Sequence, residues 1–139
     1  LKAITISQPY ASLIANGQKW VENRTWPTDY RGPLAIHAGK GTQYLTAKQL
    51  ENHVTVAIVA TCELVACVNR IAPTTAQRNE LERYYRWDDF LLHKHAEGPW
   101  CWVLHEVRPA VQPVGINGKQ GLWDVPEDVL RDSIDALGF

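Results

Sequence analysis

Gly17-Gln18-Lys19-Trp20-Val21-Glu22-Asn23-Arg24 (GQKWVENR) is the stretch around which the rest of this chain falls into place. It sets Lys19, Glu22 and Arg24 within eight residues, with Trp20 between them, and core-forming sequence flanks it on both sides. A short amphipathic helix precedes it and a strand follows. Polar clusters at such junctions carry function more often than those on a solvated helix face. The residues alone also allow a second reading, a surface ion pair of Glu22 and Arg24 on an edge strand, which would contribute little.

Upstream, Ala3 to Ile6 (AITI) alternates and reads as a first strand. Pro9 sits in the first turn of a helix, where its missing N–H costs nothing, with Ser7 or Gln8 as the cap. Tyr10, Leu13 and Ile14 make one apolar face, and Asn16-Gly17 ends the helix after about two turns. From Lys19 the chain reads as a strand. Trp20, Glu22 and Arg24 then share one face and Lys19, Val21 and Asn23 the other. Lys19 joins the other two charges only if the helix exit or a bulge turns it.

Downstream, Trp26 to Pro33 is a loop with aromatic and basic content. Leu34 to Ala38 (LAIHA) is a strand containing His37. It runs into Gly39-Lys40-Gly41, which lacks the spacing of a phosphate loop, although Lys40 remains a candidate anion contact. Thr46 to Gln49 and Thr74 to Gln77 match capping boxes. The second opens a helix predicted to reach Lys94. Val54 to Ile71 is the most strand-like region, long enough to bend or to form two strands. Glu63 lies in the middle of it and needs solvent, a partner or a pocket, because burying a lone carboxylate is costly. Trp100 to Val107 and Gln112 to Ile116 read as two further strands. Asn117-Gly118 is a hairpin signal leading to a last strand, Gln120 to Val125. Pro126 opens a final helix with Leu130, Ile134 and Leu137 on its apolar side. Hairpins without regular strand–helix–strand alternation predict an α+β fold with a partly closed, mostly antiparallel β-barrel flanked by short helices, in one domain over 1–139.

The 139 residues suffice for a core without disulfides or metal. Cys62, Cys67 and Cys101 each lie in an apolar run and read as buried free thiols. His93 and His95 diverge on a helix, so no metal site is expected, and no cofactor is implied. No signal-like segment or membrane span is read, which points to a cytoplasmic protein. The net charge of −1 argues against a bulk duplex binder. The charge is uneven, however. Residues 1–48 hold six bases against two acids, net +4, and the remainder holds eight against 13, net −5. A local basic site of this kind suits a small anionic ligand or a few phosphates.

The signature GQKWVENR resembles the G-x-K-x-x-E-x-R motif of the ASCH domain family, within the PUA-like superfold. Gln8-Pro9-Tyr10-Ala11 before it and Gly32-Pro33-Leu34-Ala35-Ile36-His37-Ala38 after it are similar to that family. So are Glu63-Leu64-Val65, Gly98-Pro99-Trp100-Cys101-Trp102 and Gly121-Leu122-Trp123-Asp124-Val125. The resemblance implies a domain that binds single-stranded RNA or a modified nucleoside or nucleotide. Lys19, Glu22, Arg24 and Lys40 would line the site, and Tyr10, Trp26 or Trp123 would stack a base. It also implies an alternative, an enzyme using the same cleft. Related amidohydrolases that deacetylate N4-acetylcytidine carry Thr where this chain has Glu22, so the nucleophilic hydroxyl is missing from its motif position. Other relatives are ribonucleases. Lys19 would be catalytic in either case; in an amidohydrolase Glu63 would be the distant acid, and in a ribonuclease Glu22 or His37 would move protons.

Overall fold

Alternating runs and, in β3 and β4, nearly continuous apolar runs build six strands in the computed structural model, which describes residues 1–138. The strands are β1 (Lys2–Ile6), β2 (Val21–Arg24), β3 (Gly32–Ala38), β4 (Ala57–Asn69), β5 (Trp100–Gly115) and β6 (Trp123–Asp124). The helices are α1 (Tyr10–Ala15), α2 (Ala47–Asn52), α3 (Thr75–Glu82), α4 (Trp87–Leu92), α5 (Glu127–Asp132) and α6 (Ile134–Leu137). The strand order is β2-β5-β4-β3-β1-β6. β1 runs parallel to β3, while β1–β6 and β2–β5 are antiparallel. The fold is therefore α+β with an open mixed sheet in place of the predicted barrel. The parallel pair is the reason the hairpin reading fell short: β1 and β3 are joined through α1 and β2, not by a turn.

Two predicted strands also merge into one, and a third shrinks. Trp100 to Gly115 is one 16-residue strand, and the last strand is two residues long. Asn117-Gly118 therefore starts a loop to β6 and makes no tight hairpin. The helix after Thr74 breaks into α3 and α4, because Arg86 is extended at φ −73° and ψ 140°. Both capping boxes form, with Thr46 and Thr74 accepting from the backbone of Gln49 and Gln77. At α1 no side chain caps Pro9; Gln8 Oε1 instead accepts from the Ser12 N–H at 2.9 Å.

The described residues form two compact units. One comprises residues 1–18, 33–62 and 107–139, of which Phe139 lies outside the described residues. Its core contains Ala3, Ala35, Ile58, Val114, Trp123, Val125 and Leu137. The other comprises 19–32 and 63–106. Its core contains Val21, Val65, Val68, Leu81, Phe90 and Val103, with Trp20 and Tyr85 packed against it. The three cysteines are buried free thiols. Burial raises the thiol pKa of Cys67, and that of Cys101 to about 11, which makes both inert near neutrality. Among the described residues no helix is long and apolar enough to cross a membrane, and no group of His, Cys, Asp and Glu could hold a metal ion.

Candidate functional site

Gly17, at φ +84°, lets the chain leave α1 and turn toward β2. Lys19 and Trp20 then precede the strand, which starts at Val21. Lys19 is thus free of the strand's alternation, and its side chain folds over the strand's first residues. The Lys19 ammonium donates to the Val21 carbonyl and, at 2.8 Å, to Glu22 Oε1. Arg24 meets the other carboxylate oxygen, Oε2, at 3.0 Å. One carboxylate therefore holds two cations. The side chains of Lys19, Glu22 and Arg24 are 3%, 12% and 23% exposed, so the cluster is largely desolvated. The turn that the sequence left open for Lys19 is made at the helix exit.

Trp20 fixes the middle of the motif. Its ring stacks on Tyr85, with centroids 3.8 Å apart and planes 11° apart, and on His93 at 4.5 Å and 20°. Its backbone N–H donates to His93 Nε2 at 3.3 Å. His93 must therefore carry no proton on that nitrogen. Burial, then the nearby His95 and Lys19, lower the His93 pKa and keep the ring neutral. His95 is shifted the same way, by burial and then by Lys19 and Lys94.

Asn23, on the opposite face from Glu22, ties β2 to the following loop. Its Nδ2 donates to the His95 carbonyl at 2.8 Å, and its Oδ1 accepts from the N–H groups of Glu97 and Gly98 at 3.0 and 2.8 Å. Sequence reasoning missed both His93 and Asn23 as supports of the motif. Their partners lie more than 70 positions away, and no local pattern marks them.

The other expected site residues are distributed unevenly. Trp26 packs edge-on against Trp102, centroids 4.7 Å apart, and is partly exposed. Glu63 is half-buried on β4, and among the described residues its side chain makes no hydrogen bond or ion pair. Tyr10, Lys40 and Trp123 belong to the other unit. Tyr10 meets Tyr44 edge-on at 5.6 Å, and Lys40 is exposed. Trp123 is 5% exposed and stands edge-on to His37 at 5.4 Å, so its ring is packing and offers little face to a base.

His37 is buried. Its Nε2 donates to the Ile116 carbonyl at 2.6 Å, and its Nδ1 lies 3.1 Å from Thr5 Oγ1. Burial lowers its pKa, opposed in part by the Ile116 bond.

Comparison with known proteins bears on the fold and the family. No curated protein matches the sequence. The fold is similar to the crystal structure of ASCH from Zymomonas mobilis, with a TM-score of 0.56 at 13% identity, covering 96% of this chain and 92% of that one. A Tyr-to-Phe variant of the Zymomonas mobilis protein is similar to the same degree, with a TM-score of 0.55 at 13% identity over 96% and 95% of the two chains. Residues 4–113 match the ASCH domain family, a PUA-like family commonly associated with RNA binding. The chain belongs to the ASCH domain family.

Proposed function

We propose that this protein binds single-stranded RNA, or a modified nucleoside or nucleotide, at Lys19, Glu22 and Arg24. The observation that carries this reading is the shared carboxylate: Glu22 holds both cations in one arrangement with a net charge of +1. A phosphate or base edge then meets donors that are already oriented, so little side-chain entropy is lost on binding. Arg24 offers a planar fork to a phosphate or a base, and Glu22 can accept from an exocyclic amine. Trp26, 36% exposed in the same unit, offers ring surface to a base. Tyr10 and Lys40 are proposed as RNA contacts of their own unit.

The competing reading is catalysis in the same place, either ribonuclease or amidohydrolase. The burial of Lys19 favours it, because a desolvated ammonium is a strong electrostatic stabiliser of developing negative charge. Glu22 in place of a hydroxyl weighs against acyl transfer.

A single experiment tests both. A short single-stranded RNA carrying one N4-acetylcytidine is titrated against wild type, Lys19→Met and Arg24→Ala, and its mass is measured afterwards. Binding with an intact oligonucleotide is expected. Each variant should lose at least about tenfold in affinity and reduce the salt slope by about 0.7. Equal affinity in all three proteins sinks the site. Loss of acetyl or strand scission by wild type, abolished in Lys19→Met, replaces binding by catalysis.

A further inference from the structure

We propose that the pocket of about 480 Å³ lined by Thr5, His37, Lys40, Val56, Asn117 and Lys119 is a phosphate-binding site. It shares Lys40 with the RNA reading above and otherwise rests on different residues.

The charge comes first. The residues lining the pocket include two lysines and no carboxylate. Neither Lys40 nor Lys119 makes an ion pair among the described residues. A phosphate entering here meets two cations without displacing a counter-charge. Asn117 and Gln120 add side-chain amides at the rim, both exposed.

The walls are built, not incidental. His37 forms the floor at 1% exposure, anchored to the Ile116 carbonyl. A Cβ on Gly118 would lie 2.5 Å from Thr5 Oγ1 and 2.7 Å from His37 Cε1, so only glycine lets the loop backbone approach this floor. The next residue, Lys119, lies close in turn, its carbonyl 3.3 Å from Thr5 Oγ1, whose single proton is shared between that carbonyl and His37 Nδ1. Val56, also in the lining, sits at φ +55°, a costly conformation for a β-branched residue. Val56 is held there from both sides, its N–H donating to the Ala38 carbonyl at 2.8 Å and its carbonyl accepting from Ile116 at 3.2 Å. Strained residues of this kind cluster at ligand clamps and other functional sites. The phosphate is either that of a free mononucleotide or one within an RNA strand.

The test reads the pocket floor directly. The His37 ring Cε1–H signal is followed by NMR while inorganic phosphate, a nucleoside 5′-monophosphate or an RNA oligonucleotide without terminal phosphates is added. A saturable shift of this signal is expected, weakened about fivefold by Lys40→Ala and by Lys119→Ala, both exposed positions. Saturation by phosphate and the monophosphate identifies the free ligand, whereas saturation by the oligonucleotide alone identifies the strand. A His37 signal that none of the three moves overturns the proposal. So does an unchanged titration when both lysines are replaced. Lys19→Met should leave the His37 shift produced by inorganic phosphate and by the monophosphate intact, so loss of the RNA reading and loss of this one are told apart.

Discussion

Lys19, Glu22 and Arg24 on one side, and Lys40 and Lys119 on the other, show two ways of presenting positive charge. The first group is mostly out of water, and each cation is bonded to one carboxylate. The second stands in solvent with no carboxylate around its pocket. Desolvating ions costs several kcal/mol per charge, and their mutual attraction returns it only when geometry is good. The motif meets that condition with two charge-assisted bonds at 2.8 and 3.0 Å and a backbone carbonyl on Lys19. It gains orientation. The exposed pair keeps its hydration and gains reach, at the expense of screening by salt. Recognition by the first should therefore be selective in shape, and by the second selective mainly in charge.

The sharpest way to break this comparison is Glu22→Ala. It leaves Lys19 buried with no carboxylate, and a loss of about 3–5 kcal/mol is expected in urea unfolding, as for other broken buried pairs. A loss below about 1 kcal/mol would place the cluster in water and erase the contrast with the lysine pocket.

His93→Gln comes next. It removes the stack on Trp20 and weakens the bond from the Trp20 N–H, for about 1–2 kcal/mol. The same variant has a pH signature. Burial holds His93, and likewise His37, below the usual 6.5. As pH falls below 6.5 the unfolded chain takes up these protons first. Stability is therefore full above 6.5 and declines below it, down to the lowered folded values. His93→Gln should flatten that decline in thermal melts run across the interval, and an unchanged profile would mean that His93 titrates in the folded protein as it does in the unfolded chain.

The smallest effect belongs to the ion pair of Lys2 and Asp124, 3.0 Å apart across β1 and β6 and exposed at 38% and 73%. Asp124→Ala should cost less than about 0.5 kcal/mol in the same unfolding assay. A larger loss would show that pairing alone, without burial, sets the value of an ion pair in this protein.

Much of the local structure was legible beforehand. The α1 helix ending at Gly17, the two capping boxes and the strand around His37 follow from neighbours within a few residues, and they form where expected. The charges of GQKWVENR were legible as a cluster, but not the means by which Lys19 joins it. Alternation predicts that Lys19 faces away from Glu22, and this fails because the strand begins two residues later, at Val21. The barrel failed for a related reason. Strand content can be read from composition, whereas the partner of β1 is chosen by packing, and it is β3 in parallel. The predicted helix breaks at Arg86, so Leu81 and Phe90 reach the core from separate helices.

Membership in the ASCH family and the clustering of charges in GQKWVENR follow from residue types at short spacing. Only the tertiary structure decided which side chains support that motif. Trp20 is held by Tyr85 and His93, Asn23 by His95 to Gly98, and the lysine pocket by Val56 and the loop from Asn117 to Gln120. Those contacts join residues far apart in the chain, and their energies depend on burial and angle, which no local pattern of residues encodes.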